Sequence, residues 1–584
     1  MTIDTVVVLA YFFFLIAIGW MFRKFTTSTS DYFRGGGKML WWMVGATAFM
    51  TQFSAWTFTG AAGRAFSDGF VVVILFLANA FGYFCNYLYF APKFRQLRVV
   101  TAIDAIRIRF GKTSEQFFTW AGLPDSLISS GIWLNGLAIF VAAVFDIPME
   151  ATIVVTGLVL MLMAVTGGSW AVVASDFMQM LVIMAVTITC AVAAYYHGGG
   201  IGNIVSSFEG NFYTGNNLNY MSIFVLWVVF IFIKQFGVMN NSINAYRYLC
   251  AKDSVNARKA AGLACSLMIV GPIIWFLPPW YVAAFMPDFA AGYDVGGDAA
   301  YLAFVEKLMP AGMVGLLMSA MFAATMSSMD SGLNRNAGIF VINFYSPILR
   351  PNATQKELMA VSKITTVLMS FIIIGVALFI NSLRDLSLFD IVLNVGALIG
   401  FPMLIPVFLG MMFRNTPDWS AWATLIVGGI VSYVFGIAIE AHHIESLFNL
   451  EHSLTGREWS DLKVTLSLAA HVILTGGFFL TIVFAYRGRE CRTPEREAQV
   501  TELFNNWNTP VVADSEEQQN LDTKQRSMLG NLICVAGFGI LAMALIPNDP
   551  IGRMMFLLCG SLVLVVGVLL VTAANKNQPK VITQ

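Results

Sequence analysis

Residues 45–60 read GATAFMTQFSAWTFTG, and this stretch does most to decide the fold. Its ends are apolar or small, as in a membrane-spanning helix, but its middle is dense in Thr, Gln and Ser. This composition is typical of a helix broken at mid-membrane, whose freed carbonyls can coordinate a cation. The alternative is an intact helix whose hydroxyls bond to their own backbone.

The composition of the whole chain indicates a membrane protein. Of its 584 residues, 58% are hydrophobic and only 12% are charged, whereas a soluble domain is about 25% charged. The formal net charge is zero, so there is no basic footprint for nucleic acid. The seven Cys and five His form no zinc-ligand pattern, and no cofactor is expected.

Windows of about 20 mostly apolar residues predict an all-α polytopic membrane protein with fifteen spans. The predicted spans lie near residues 3–22, 40–65, 70–92, 116–145, 150–167, 170–195, 220–246, 261–286, 311–345, 360–381, 386–412, 418–440, 463–486, 528–546 and 552–573. Lys and Arg concentrate in alternate loops, beginning with 23–38 and 93–112. The positive-inside rule then places the N-terminus outside and the C-terminus inside. The compact loops indicate a bacterial plasma membrane.

Polar residues also interrupt two later spans. The seventh carries Lys234 and then GVMNNS at 237–242, which predicts a second broken helix five helices after the first. Paired breaks of this kind mark the binding site of a transporter. The ninth reads AATMSSMDS at 323–331, and hard hydroxyl and carboxylate oxygens suit sodium. Small-residue packing is the alternative, and it does not account for Asp330.

Two more carboxylates, Asp125 and Asp176, fall inside the fourth and sixth predicted spans. A charge at the membrane centre costs about 2.5–3.5 kcal/mol on insertion scales. Each is therefore a candidate cation or proton site, or alternatively a structural salt bridge or an interfacial carboxylate.

The longest predicted inside loop covers residues 487–527. It begins with TPE at 493–495, a good helix start because it combines a capping hydroxyl, a first-turn Pro and an acid. Val500, Leu503, Phe504 and Trp507 follow at helical spacing, which predicts an amphipathic surface helix before a polar linker.

Five motifs, in order along the chain, resemble those of the sodium:solute symporter family. They are SDYFRGGG at 30–37, Ser54-Ala55, GGSWAVVASD at 167–176, YRYL at 246–249, and GLLMSAMFAATMSS at 315–328 continuing to Asn334. The resemblance covers about residues 1–490.

The resemblance implies a leucine-transporter-type core of two inverted five-helix repeats, with an extra N-terminal helix and about four extra C-terminal helices. Combined with the predicted spans, the divisions are 1–39 (N-terminal helix and inside loop), 40–219 and 220–416 (the repeats), 417–487 (peripheral helices), 488–527 (cytoplasmic linker with an amphipathic helix) and 528–584 (two C-terminal helices and a tail). It also implies a main sodium site made by Met50, Phe53, Ala324, Ser327 and Ser328.

Some family members have a second sodium site, which by resemblance involves Asp176, Asp330 and Ser331 here. The chain departs from the pattern at Asp330, where the family has Ser, so the sodium stoichiometry stays open. The implied solute residues are Thr57, Asn241 and Asn79.

Lys234 is unusual at mid-membrane, and we add it to the predicted solute site. It either meets a carboxylate of the solute or pairs with an acid of the protein such as Asp125.

The predicted function is sodium-coupled symport of a small organic solute by alternating access, with Na⁺ as coupling ion. One alternative is a proton-coupled carrier in which Asp176 or Asp330 titrates, and another is a membrane sensor on a transporter fold. An enzyme is not expected, because no nucleophile, base or metal cluster is recognisable near either interface. The oligomeric state is not predicted.

Overall fold

A computed structural model describes residues 3–22, 35–166, 169–288, 296–382, 388–512 and 516–576. Within these ranges the protein is helical, and the only extended pairing is an isolated parallel bridge between Met39 and Ala251. The main helices are α1 (Ile3–Phe22), α2 (Trp41–Met50), α3 (Gly60–Asp68), α4 (Val71–Gln96), α5 (Ala102–Phe145), α6 (Met149–Thr166), α7 (Ser169–His197), α8 (Met221–Met239), α9 (Ser254–Phe285), α10 (Met313–Leu349), α11 (Gln355–Ser382), α12 (Leu388–Met412), α13 (Ser420–Ala438), α14 (Gly456–Ala485), α15 (Pro494–Asn508), α16 (Glu516–Ala542) and α17 (Pro550–Lys576).

Twelve of the described helices are long and apolar enough to cross a membrane. The shorter apolar segments Ile3–Phe14 and Met149–Leu162, together with the α2–α3 pair, match the other three predicted spans. The all-helical polytopic fold is confirmed, while the count of fifteen and the orientation stay predictions. Several helices begin earlier than predicted, most clearly α5, which starts at Ala102 and kinks at Gly111.

The second predicted span is broken. Helix α2 ends at Met50, a 3-10 turn occupies Ala55–Thr57, and α3 begins at Gly60. The hydroxyl of Ser54 accepts a hydrogen bond from Trp56 N (3.3 Å), which caps the turn. The backbone therefore leaves the helical path for nine residues and exposes carbonyls that a continuous helix would have bonded.

The second break is predicted at 237–242, and the helix does end within that stretch. Gly237 lies inside α8, which ends at Met239, and only a short 3-10 segment, Asn244–Cys250, follows. At this end the backbone N and the side-chain Nδ2 of Asn240 both donate to the carbonyl of Phe236 (3.0 and 2.9 Å). The seventh span is thus an intact helix with an irregular end, not two half-helices.

The helices around the break form one packed core. Helix α9 packs on α2 and α4, and α10 packs on α1, α5 and α7. Close approach requires small residues, since a Cβ on Gly45 would lie 2.9 Å from the carbonyl of Ala260. The last two helices, α16 and α17, pair with each other, and α17 also packs on α7.

The predicted amphipathic helix is α15. The hydroxyl of Thr493 accepts from Arg496 N (3.4 Å), and Val500, Leu503 and Trp507 are buried. These apolar side chains hold α15 against the adjacent ends of α4 and α5. The first five residues of the motif at 30–37, Gly167–Gly168 and part of the polar linker lie outside the described residues.

Candidate functional site

The broken helix is joined to α10 by hydroxyl groups. Ser328 Oγ donates to the carbonyls of Met50 (3.1 Å) and Phe53 (2.8 Å), and Thr325 Oγ1 accepts from Ala55 N (3.1 Å). All five residues are buried. One hydroxyl has a single proton, so these two carbonyls share it. Three oxygens, two of them from the break, therefore converge on one buried point.

The other predicted ligands of the main sodium site lie on the same part of α10. Ala324 is fully buried, and Ser327 is 1% exposed. Residues three and four apart share a helix face, so Ala324, Ser327 and Ser328 lie together. Ser327 Oγ makes no hydrogen bond within 3.5 Å in the described part of the chain, although its side chain interacts with Asp176. All five predicted positions are thus near the break, and every proposed ligand is a hard oxygen.

The two carboxylates of the predicted second site are also buried near each other. Asp176 is inaccessible to solvent, Asp330 is 9% exposed, and the two interact electrostatically. Thr47 Oγ1 donates to one oxygen of Asp176. The other oxygen of Asp176, and one of Asp330, have no hydrogen-bond partner in the described part of the chain. Arg247 interacts electrostatically with both acids. The side chain of Ser331 lies outside the described residues.

A cavity of about 250 Å³ adjoins the break. Its lining runs from Trp56 in the break to Ile103 in the first turn of α5. The lining also includes Gln52, Asn79, Asp125, Trp133, Lys234, Tyr246, Ser328, Arg335, Asn336 and Gly396. The cavity therefore shares a wall with the Ser328 bridge, which puts any molecule in it beside the candidate cation site.

The structure brings only two of the four predicted solute residues into the lining of this cavity. Asn79 and Lys234 line it, and Thr57 and Asn241 do not. Thr57 is buried in the 3-10 turn. Asn241 is used structurally, because it donates to the carbonyl of Leu404 (3.1 Å) and accepts from Ile243 N (2.9 Å).

Lys234 projects into the cavity toward α12. Its ammonium lies 3.4 Å from the carbonyl of Leu393, and a Cβ on Gly396 would lie 2.8 Å from Nζ. Asp125 interacts electrostatically with both Lys234 and Arg335. In the described chain, no carboxylate oxygen lies within 4.0 Å of Lys234 Nζ. Lys234 and Asp125 are neighbours without a direct ion pair.

Arg335 was not among the predicted site residues. It lies on α10 one turn beyond Asp330, lines the cavity, and donates to Ser126 Oγ (3.3 Å). Its signal was present in the sequence as another charge within a predicted span.

At the end of the molecule beyond Trp56, a cluster of buried ion pairs joins α3 to α14. Arg64 pairs with Asp68 (2.9 Å) and Asp461 (3.5 Å). Arg457 pairs with the same two acids (3.4 and 3.6 Å). All four side chains are at most 10% exposed. In the predicted orientation this end is extracellular.

Helical spans around a broken helix, with oxygens converging at the break and a polar cavity beside it, define a secondary transporter. Residues 32–428 match the sodium:solute symporter family, and the chain belongs to it. The predicted class, sodium-coupled symport of a small solute across the cell membrane, is confirmed.

The similar proteins carry different solutes. The chain is 26% identical over 474 residues to the sodium/glucose cotransporter of Vibrio parahaemolyticus, covering 75% of this chain and 85% of that protein. It is 25% identical to the osmoregulated proline transporter of Bacillus subtilis (73% and 88% covered). It is also 25% identical to the sodium/sialic acid symporter of Proteus mirabilis (75% and 89% covered).

Two solved structures share the fold. A substrate-bound, outward-open sodium-coupled sialic acid symporter superposes with a TM-score of 0.64 at 20% identity, over 82% of this chain and 98% of that chain. A nucleobase-cation-symport-1 family transporter in a closed conformation gives 0.51 at 14% identity, over 82% and 99%. Both confirm the fold class of the core.

Proposed function

We propose that the coupling sodium binds where the broken helix meets α10, held by the carbonyls of Met50, Phe53 and Ala324 and the hydroxyls of Ser327 and Ser328. The observation that carries this proposal is the double hydrogen bond from Ser328 Oγ to Met50 and Phe53. It brings two carbonyls of the break to one hydroxyl. When the Ser328 hydroxyl turns its proton away, a small cation at this point would gain three oxygen ligands at once.

Sodium at this place joins the two predicted repeats, because the break lies in residues 40–219 and α10 lies in residues 220–416. Binding there favours the form in which both parts are correctly placed, and by reciprocity a bound solute strengthens sodium binding. Alternating access then requires the ion pairs between α3 and α14 to separate when that end opens. Each sodium moving inward gains about 2.3 kcal/mol per 100 mV.

The solute occupies the cavity beside Ser328, with Lys234 facing a carboxylate of the solute. Three charged groups border this cavity: Lys234, Arg335 and Asp125. The formal balance is one positive charge, which favours a solute with one net negative charge. Asn79 and Gln52 add amide groups that can orient hydroxyl or carbonyl groups of the solute.

A second sodium is the proposed occupant of the space between Asp176 and Asp330, with Ser331 as a further ligand. Two buried carboxylates that interact with one another need a compensating charge. Arg247 supplies part of it, since it interacts with both. The carboxylate oxygens that lack a protein donor support a cation there in addition.

The role of Lys234 is tested by a thermal-shift screen of the purified protein. The library contains each carboxylate together with its primary amide. Every compound is tested with and without sodium. Carboxylates that stabilise only in sodium are expected to bind Lys234→Met about tenfold to a hundredfold more weakly, because a charge-assisted hydrogen bond is lost. The matched amides should be affected much less.

Lys363→Met is the control, because Lys363 lies exposed on α11 and is not among the cavity-lining residues. Unchanged carboxylate affinity in Lys234→Met would remove the solute proposal and leave the sodium site untouched.

A further inference from the structure

A second cavity, of about 690 Å³, lies between α15 and the α4–α5 connection. Its walls include four basic residues, Arg98, Arg107, Lys112 and Arg496, and two acids. In the predicted orientation this is the cytoplasmic end of the molecule. The chain thus has a basic cavity whose lining shares no residue with that of the proposed solute cavity.

The two acids do not neutralise this cavity. Asp104 accepts from Thr101 N and from Asn343 Nδ2, both at 2.9 Å, so its two oxygens are already bonded. Glu502 is exposed on α15 and has no ion pair among the described residues. The lining therefore carries a formal surplus of two positive charges.

Three of the basic side chains are available to a ligand. Arg98 is exposed and bonds only an amide oxygen, that of Asn506 (3.3 Å). Arg107 is 46% exposed, with Glu115 at 4.0 Å. Lys112 is exposed and has no carboxylate within 4.0 Å in the described structure.

Arg496, by contrast, is structural, because it pairs with Asp418 (2.9 Å) and donates to the carbonyl of Ile108 (3.0 Å). It fixes α15 against α5, so the cavity has one rigid wall.

The lining of the cavity combines these basic side chains with apolar residues. Leu97, Val99, Ile108 and Leu503 are part of the lining, and Leu97, Val99 and Leu503 are buried. Arg98 itself has a left-handed backbone (φ 58°), which is uncommon for a residue with a side chain. Guanidinium groups recognise phosphate oxygens well, and basic pockets at the cytoplasmic ends of spanning helices suit anionic headgroups.

We propose that this cavity binds a phosphate-bearing anion through Arg98, Arg107 and Lys112. The phosphate belongs to the headgroup of an anionic phospholipid or to a soluble phosphate, since both present the same oxygens. The anion links the α4–α5 connection to α15. These three basic residues therefore bind a ligand, in addition to their effect on the orientation of the chain in the membrane.

The test uses the full-length protein purified in zwitterionic micelles. Phosphatidylglycerol is titrated in one arm, inorganic phosphate in a second, and phosphatidylcholine with chloride at equal ionic strength in a third. The melting temperature is expected to rise in the first or second arm and not in the third. A rise with phosphatidylglycerol alone identifies a lipid headgroup, and a rise with phosphate identifies a soluble anion.

Two variants with equal change of charge decide whether the cavity is responsible. The variant R98Q/R107Q/K112Q is expected to bind the stabilising anion at least tenfold more weakly. The control R258Q/K259Q/K356Q removes three exposed cations outside the cavity lining, and should bind within about twofold of wild type.

Glu502→Gln provides a test of opposite sign, because it removes a rim carboxylate and should strengthen binding. This single variant can still be measured if the triple variant does not fold. Equal losses in the two triple variants, no gain in Glu502→Gln, or no stabilisation of wild type by either phosphate source would each overturn the proposal.

Discussion

The two candidate cation sites of this symporter are built in opposite ways. At the break, neutral groups meet, and Ser328 already bonds both carbonyls. At the acid pair, Asp176 and Asp330 bring two formal negative charges together and each has an oxygen without a protein partner in the described part of the chain. The first site depends on the positions of neutral oxygens, and the Ser328 hydroxyl already provides a hydrogen bond to its two carbonyls. The second depends on charge, and it needs a cation, a proton or Arg247 for balance.

The largest expected effect is that of Ser328→Ala on the first site. The variant removes a side-chain ligand and the bond that gathers the two carbonyls. A hydrogen bond to a charged group is worth about 1.5–3 kcal/mol, which corresponds to roughly a tenfold to hundredfold loss of sodium affinity. The measurement is a sodium titration of the purified protein followed by tryptophan fluorescence.

Ser319→Ala is the matched control for this variant. Ser319 is a buried serine on the same helix, and its hydroxyl donates only to the carbonyl of Gly315 (2.8 Å) within that helix. Its sodium affinity should stay close to that of wild type. Equal losses in the two variants would assign the effect to helix stability instead of sodium coordination.

A smaller effect is expected from neutralising the acid pair. Asp176→Asn and Asp330→Asn each remove one formal charge, and each should lower the Hill coefficient of sodium binding toward one, while the remaining site keeps its affinity. If both carboxylates bind the same ion, the double variant should show the same Hill coefficient as either single variant. Unchanged cooperativity in both variants would exclude a second sodium and leave Arg247 as the balancing charge.

The smallest effect on sodium is expected from Thr325→Val, which separates placement of the break from coordination. The variant leaves the buried amide of Ala55 without its acceptor, at a cost of about 1–3 kcal/mol in stability. Its melting temperature should fall, while sodium affinity changes by less than about fivefold. Thr187→Val is the control, because the hydroxyl of Thr187 bonds only to its own helix (Ile183 O, 2.8 Å). If Thr325→Val lost as much sodium affinity as Ser328→Ala, placement of the break and coordination of sodium would not be separate roles.

The features that could be predicted correctly from the sequence are those marked by polar residues in apolar surroundings. The break at 51–59 and the position of Ser328 on the facing helix are of this kind, because burying a cluster of hydroxyls inside a span is costly unless the hydroxyls bond or bind something there. The fold class followed from the same contrast. The family motifs then supplied which oxygens belong together.

The features that could not be predicted depend on local geometry or on distant pairing. Helix α8 continues past Gly237 to Met239, so the irregular segment begins about one turn later than the Gly237 signal suggested. Thr57 lies in a 3-10 turn whose orientation is not readable from composition. The bond between Arg64 and Asp461 joins residues 397 positions apart, a pairing that one sequence does not reveal.

The most direct test of the central claim is to locate the cation in an experimental structure determined in sodium at high resolution. Cation density is expected at the point where the oxygens of Met50, Phe53 and Ser328 converge, with the Ser328 hydroxyl turned from donor to ligand. The density should be lost when sodium is replaced by a large organic cation. Density confined to the space between Asp176 and Asp330, with Ser328 still bonded to both carbonyls in saturating sodium, would contradict the proposed site.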